Sequence, residues 1–293
     1  MSTIRESLRR HPLWWFFGLA FGINAAATSV NLVTPVEHMS LVWFIAIFSP
    51  TIAAYLVAAG MGGWPDVKRL LAGYTRWRIG WQWYLAALSM ALIPLGVALV
   101  YIALGHPPRG LREGLTWGGY LVILMQGWLT GPLAEESGWR GFALPRLQGR
   151  MNALYASLLL GLLWAFWHVP QYLTGGVQTG GMMPFFIFVP VTIVLTILFT
   201  WVFNNTRGSL VATTVMHFAF NFSGGHIAGL LGLVPGMVLY GASGGLVVLA
   251  ILAVIFFGPK HLSRKPVSEL PIEPAEAAPK AAPQPTLKPV HLH

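Results

Sequence analysis

The sequence contains no cysteine. That excludes disulfides, thiol nucleophiles and thiolate metal sites together. Charge is almost as scarce: Asp, Glu, Lys and Arg make up 9% of the 293 residues, against about 25% in a soluble domain. Acids are the rarest, nine in the whole chain. What is present is apolar, with 55% hydrophobic residues and a mean hydropathy of +0.64. These values describe an integral membrane protein. The surplus of bases gives a formal charge of +9. Those bases sit in short loops between apolar runs, which is a pattern of membrane topology and not of nucleic-acid binding.

A helix needs about 20 mostly apolar residues to cross a bilayer. Stretches of that kind fall at 12–33, 40–62, 80–104, 116–143, 153–172, 184–204, 208–226 and 232–257. The short alternating strands of a porin-type barrel do not appear. The expected fold is all-α: a polytopic membrane protein of about eight transmembrane helices. The first run, "PLWWFFGLAFGINAAATSVNLV", lacks a small-residue cleavage site after a short core and reads as a retained helix. With eight spans, one side of the membrane receives Arg5, Arg9, Arg10, Lys68, Arg69, Arg76, Arg78, Arg146, Arg150, Arg207, Lys260, Arg264 and Lys265; the other receives Arg109 and Arg112. Basic loops stay cytoplasmic, so both termini are expected there.

The chain divides into four parts. Residues 1–115 hold the N-terminal transmembrane helices and a basic amphipathic linker at 63–80. In that linker and at the residue after it, Leu70, Leu71, Trp77 and Trp81 interleave with Lys68, Arg69, Arg76 and Arg78, a pattern suited to lying on the inner leaflet of the lipid bilayer. Residues 116–226 carry the polar groups discussed next, and 227–258 the last transmembrane helix. The tail, 259–293, includes "EPAEAAPKAAPQPTLKP", a Pro/Ala-rich composition that cannot bury a core and predicts disorder.

Between Glu113 and Glu269 the acids are Glu135 and Glu136, in "GPLAEESGWRGFALPRL" at 131–147. A carboxylate at membrane depth is costly and marks a candidate functional site. Glu136 and Arg140, four apart on a helix, can neutralise each other. Glu135 points about 100° away and has no such partner. Two more spans carry polar groups: His168 in "GLLWAFWHVPQYL", and His217 with Asn221 in "ATTVMHFAFNFSGG". His217 and Asn221 share a helix face. At about 1.5 Å per residue, His217 lies roughly 13 Å and Glu135 roughly 16 Å from the cytoplasmic side, whereas His168 comes out roughly 24 Å deep. The remaining histidines fall in loops or tails.

The order "EESGWR" (135–140), "WAFWH" (164–168) and "HFAFN" (217–221) resembles the CPBP family. These are intramembrane proteases of the CAAX prenyl protease type II and bacteriocin-processing (Abi) kind. The resemblance covers about residues 116–226. The approach to the third motif, "NNTRGSLVATTVMH", is typical of bacterial members, which places the chain in a bacterial inner (plasma) membrane. One departure is Trp164, where many members have Phe. The resemblance implies an eight-helix bundle with a site inside the membrane, open toward the cytosol. It also implies hydrolysis of peptide bonds in a protein or peptide substrate in or at the membrane. By position, Glu135 and His168 would hold and activate a water, His217 and Asn221 would stabilise the oxyanion, and Glu136 with Arg140 would order the site. Donors aimed at a developing oxyanion gain strength where water is scarce, which agrees with those roles.

Glu135, His168 and His217 would alternatively form a two-histidine, one-carboxylate zinc (Zn2+) set. No H-E-x-x-H helix is present, and Asn221 suits an oxyanion better than zinc. The preferred expectation is glutamate chemistry without a required cofactor. Two other classes of function remain open. Intramembrane Glu–His clusters also relay protons in transporters, and a non-catalytic bacteriocin-immunity or scaffold protein would bind a partner without cleaving it.

Overall fold

A computed structural model describes residues 2–30, 34, 40–106, 116–174, 184–227 and 235–273. Arg109 and Arg112 of the expected outer loop, and residues 274–293 of the expected tail, lie outside the described residues. Among the described residues every regular element is a helix: α1 (Ser2–Arg10), α2 (Pro12–Ser29), α3 (Leu41–Ile47), α4 (Ser49–Gly62), α5 (Trp64–Leu71), α6 (Trp81–Leu88), α7 (Leu92–Ala103), α8 (Trp117–Trp128), α9 (Ala134–Glu136), α10 (Leu144–Gln148), α11 (Ala153–Trp167), α12 (Val169–Leu173), α13 (Phe185–Asn205), α14 (Leu210–Asn221) and α15 (Pro235–Phe257). The chain is an all-α polytopic membrane protein.

The starts of these helices follow from local chemistry. The side chains of Ser40, Thr116, Asn152 and Ser209 each accept a hydrogen bond from the backbone N–H three residues on, satisfying a donor that the helix itself leaves free. Pro12, Pro50 and Pro65 sit in the first turn of α2, α4 and α5, where a missing N–H costs nothing.

Four helical stretches are long and apolar enough to cross a membrane: Trp81–Ala103, Ala153–Leu173, Phe185–Asn205 and Val238–Phe257. The pair α3 and α4, bent by 67° at Phe48, makes a fifth if counted as one span. The count of eight read from the sequence is not reached by this measure. The stretches 12–29, 117–148 and 210–227 do fold as helices. They are the ones diluted by Asn24, by Glu135, Glu136 and Arg140, and by His217 and Asn221.

In lipid no hydrophobic force drives one helix onto another, so close packing and polar contacts must do it. Gly161 of α11 approaches α13 so nearly that an added Cβ would lie 2.6 Å from the Ile193 Cα. Gly138 meets the backbone of Pro50 in the same way. Between α11 and α13 the Ser157 hydroxyl donates to Thr200 Oγ1 at 2.8 Å. Asn24 donates to the Trp167 carbonyl at 2.6 Å, tying α2 to α11. Aromatic rings fill the space between: Phe16 meets Trp139 edge-on at 5.5 Å, and Trp139 meets Trp167 at 5.9 Å.

The linker at 63–80 divides its labour. Trp77 and Trp81 are exposed, as an interfacial anchor requires. Leu70, however, is buried in the core, and Arg76 donates to the carbonyls of Arg207 and Gly208. The linker is thus also bonded to the bundle.

The expected disorder of 259–293 does not extend to its first part. Residues 258–273 fold back over the end of α13. Asn204 Nδ2 donates to the His261 carbonyl at 2.7 Å, and Asn205 Nδ2 to the Leu262 carbonyl at 2.9 Å. The Ser263 hydroxyl returns a bond to Asn205 Oδ1 at 3.0 Å. Leu262, at φ +47°, has its side chain fully buried. Farther on, Glu269 pairs with Arg207 and Lys265, and Glu273 with Arg146. Hydrogen bonds from Arg207 and then Lys265 hold the Glu269 carboxyl below its ordinary pKa. The composition signal averaged over the few residues that bond.

Replacing Asn205 by Leu orphans the Leu262 carbonyl and the Ser263 hydroxyl, at about 1–3 kcal/mol for each buried group left unpaired. Asn205→Leu is expected to expose residues 259–273 to protease while the transmembrane helices stay resistant. Unchanged cleavage kinetics in limited proteolysis would show that the strap is held by other contacts.

Candidate active site

The segment 117–148 is a helix that twice loosens its winding. Residues Leu129–Leu133 and Ser137–Ala143 are π-helical, on either side of α9. The first π turn contains Pro132. Proline has no N–H to give and its ring crowds the carbonyl four residues back; the wider i→i+5 turn absorbs both faults. Between the two π segments sit Glu135 and Glu136, both buried.

Glu136 is the anchor. Its Oε1 accepts from Arg140 Nη1 at 2.8 Å and from His217 Nδ1 at 2.9 Å. The predicted i,i+4 pair is therefore present, and a histidine from α14 completes it. Arg140 is 0% exposed. Its guanidinium lies between the rings of Trp164 and Phe199, at 4.3 and 4.1 Å from their centroids, so aromatic faces cover a charge that water cannot reach.

Glu135 is held differently. Its Oε2 accepts from the indole Nε1 of Trp164 at 2.5 Å and from that of Trp139 at 3.3 Å. Oε1 points the other way, toward Gly131. A Cβ built on Gly131 would lie 3.7 Å from Glu135 Oε1, 3.4 Å from His217 Nε2 and 3.0 Å from Asn221 Nδ2. Three polar atoms from two segments thus converge on one point that a methyl group would fill. Glu135, His217 and Asn221, read from the sequence as co-operating, are brought together there.

His168 is not among the three nearest neighbours of that point. Its Nδ1 lies 2.8 Å from the Trp164 carbonyl, which fixes Nδ1 as the protonated nitrogen. The half-buried ring packs against Trp167 at 4.7 Å and Phe188 at 4.8 Å. Among the described residues it makes no hydrogen bond to Glu135 or His217. No group of three His, Asp or Glu residues suited to a metal occurs among the described residues. Among the described residues Glu135, His168 and His217 do not form such a group; in both histidines it is Nδ1 that is hydrogen-bonded.

Gly131 and Trp139 were not singled out from the sequence. Trp164 was noted there only as a departure in a motif, although its indole donor was the signal that could have marked it. A separate cleft of about 210 Å³, lined by Arg69, Arg76, Arg146 and Glu273 among others, opens near Phe142 and includes none of the six candidate residues.

Two comparisons with known proteins bear on this geometry. The family described as Rce1-like, type II CAAX prenyl endopeptidase, matches residues 117–223. A CAAX prenyl protease 2 of Methanococcus maripaludis is 31% identical over 97 residues, which cover 30% of this chain and 35% of that protein. The chain thus matches about a third of the length of this curated relative. The matched residues 117–223 run from the start of α8 to just past α14 and take in all six candidate residues, so over this segment the chain is similar to the type II CAAX prenyl endopeptidases.

Proposed function

We propose that this protein is an intramembrane endopeptidase that hydrolyses peptide bonds of membrane-associated protein or peptide substrates, using a water activated by Glu135. The observation that carries the reading is the convergence of Glu135 Oε1, His217 Nε2 and Asn221 Nδ2 beside Gly131. A general base and two potential oxyanion donors around one space are what amide hydrolysis needs. A proton relay or a scaffold has no use for Asn221 at that point.

In this reading Glu135 Oε1 takes a proton from water as the water oxygen attacks the scissile carbonyl carbon. The carbonyl oxygen becomes an oxyanion and receives N–H bonds from Asn221 Nδ2 and His217 Nε2. Glu135 then returns its proton to the leaving nitrogen as the C–N bond breaks. For Nε2 to donate while Nδ1–H faces Glu136, His217 must be an imidazolium. Glu135 and Glu136 as carboxylates, with Arg140 and that imidazolium, carry no net charge. A buried cluster favours neutrality because an uncompensated charge away from water is costly. Among the described residues His168 Nε2 makes no hydrogen bond, and His168 is assigned to orienting the water or the substrate. No step passes through a metal.

The test is cleavage of a library of membrane-tethered peptides by purified protein in liposomes. Glu135→Gln is expected to lower turnover by about 10²–10⁴-fold and Asn221→Ala by about 10²–10³-fold, both in folded protein, and chelator is expected to leave the wild type active. Gly131→Ala is expected to fold, since Ala is favoured over Gly within a helix by up to about 1 kcal/mol, yet to lose cleavage because its methyl occupies the reaction point. Substantial cleavage by Glu135→Gln would overturn the assignment, and zinc-restored activity after chelation would overturn its metal-free form.

Glu136 and Arg140 are assigned to ordering the site. Removing one partner of a buried ion pair costs about 3–5 kcal/mol. Arg140→Ala should therefore reduce folded yield along with activity. Normal yield and melting temperature with activity alone lost would instead put Arg140 in contact with substrate.

The orientation we propose has both termini in the cytoplasm of a bacterial cell. Besides the Lys and Arg bias, residues 76, 146, 207 and 258–273 bond to one another at one end of the bundle. The absence of native cysteine makes this easy to test. Lys260→Cys should react with a membrane-impermeant maleimide only after permeabilisation, and Leu104→Cys in intact cells. Labelling of both from the same side would refute the topology.

A further inference from the structure

We infer that Trp164 is the positioning residue of this site, its indole N–H pinning one oxygen of Glu135 so that the other alone faces the reaction point. The inference rests on the reading of Glu135 as the base.

Trp164 touches four of the surrounding polar residues: Glu135, Arg140, His217 and His168. Its Nε1 donates to Glu135 Oε2 at 2.5 Å. One face of its ring lies 4.3 Å from the Arg140 guanidinium. The ring meets His217 nearly at right angles, with centroids 5.4 Å apart. Its backbone carbonyl lies 2.8 Å from His168 Nδ1. It comes from α11, whereas Glu135 and Arg140 lie on the 117–148 segment and His217 on α14. It is therefore the contact through which a third helix fixes the geometry of the other two.

A carboxylate on a flexible side chain can rotate and present either oxygen. With Oε2 engaged by Trp164, rotation would break a charge-assisted bond, the strong kind. Oε1 is left facing Gly131. Trp139 also reaches Oε2, at 3.3 Å, but it precedes Arg140 on the same segment as Glu135 and cannot place Glu135 relative to another helix. A phenylalanine at 164 would keep the ring over Arg140 and lose the donor. Tryptophan at this position thus adds a bond that the aromatic ring alone does not supply.

The decisive comparison separates the N–H from the ring. Trp164→Phe removes the donor and shrinks the ring. Replacing Trp164 with benzothienylalanine removes the N–H and keeps the ring's size and faces. Both variants are expected to lower kcat, per folded molecule, by about 10- to 100-fold, the range for a hydrogen bond to a charged group and for a modest misplacement of a reacting atom. KM is expected to change less than twofold, and the benzothienylalanine protein to melt near the wild-type temperature. Trp139→Phe should have a smaller effect on kcat. A second readout needs no activity: the Glu135 carboxyl stretch, isolated as the infrared difference between the protein and Glu135→Gln, should shift in both Trp164 variants. Full kcat and an unshifted band with benzothienylalanine would reduce Trp164 to packing and overturn the inference. If Glu135→Gln still cleaves, the role of Glu135 as base fails, and the band shift alone then decides whether Trp164 positions its carboxyl.

Discussion

A single oxygen, Oε1 of Glu136, organises the interior of this protein. It accepts one bond from Arg140, four residues along its own segment, and one from His217 on α14. Arg140 could not be buried alone, since an unpaired charge in a low-dielectric interior is strongly destabilising. The bond to His217 also fixes its ring, because with Nδ1 on Glu136 the Nε2 must point away, toward Gly131. The bond to Arg140 sets the guanidinium between Trp164 and Phe199. Through one acceptor the segment 117–148, α14, α11 and α13 are all brought into register.

The lipid setting explains why so many contacts are side chain to backbone. Polar groups at membrane depth must be satisfied within the protein. Thr192, Thr196 and Thr200 each return their hydroxyl to the carbonyl four residues back along α13. Asn204 and Asn205, at its end, instead reach outward and capture the chain after α15. The same rule makes the π turns intelligible. A proline within a spanning helix is tolerated where local rewinding relieves it, and Pro132 lies in the same turn as Gly131, beside Glu135, His217 and Asn221.

Much of this was legible from residue type and spacing. The apolar runs gave the fold class, because about 20 apolar residues in water have few other fates. The Glu136–Arg140 pair followed from helical spacing, and the pairing of His217 with Asn221 from their common face. Three things were not legible, each for a physical reason. Polar residues in the helices that carry the candidate site lower their mean apolarity, so span counts from sequence and from structure diverge there. Local composition could not show that Asn204 and Asn205 would hold Leu262, since those bonds join residues 57 apart in the chain. Linear depth along α11 placed His168 only as an inconsistency, because direction in space depends on how α11 packs against α13.

The site has two opposed requirements. The hydrolysis proposed above needs water, whereas Glu135, Glu136 and Arg140 are buried. The structure divides them by side of the carboxylate pair. Glu136, Arg140 and the ring faces of Trp164 and Phe199 form the enclosed side. Glu135 Oε1, His217 Nε2 and Asn221 Nδ2 face the gap at Gly131, and Asn221 itself is only half-buried. Adjacent glutamates at membrane depth, improbable as a structural device, are reasonable as a division of work. One is neutralised to hold the frame and the other is left with a free oxygen. Their separation by about 100° around the helix turns two identical side chains toward different surroundings. An alanine at 131 would close the open side without disturbing the enclosed one.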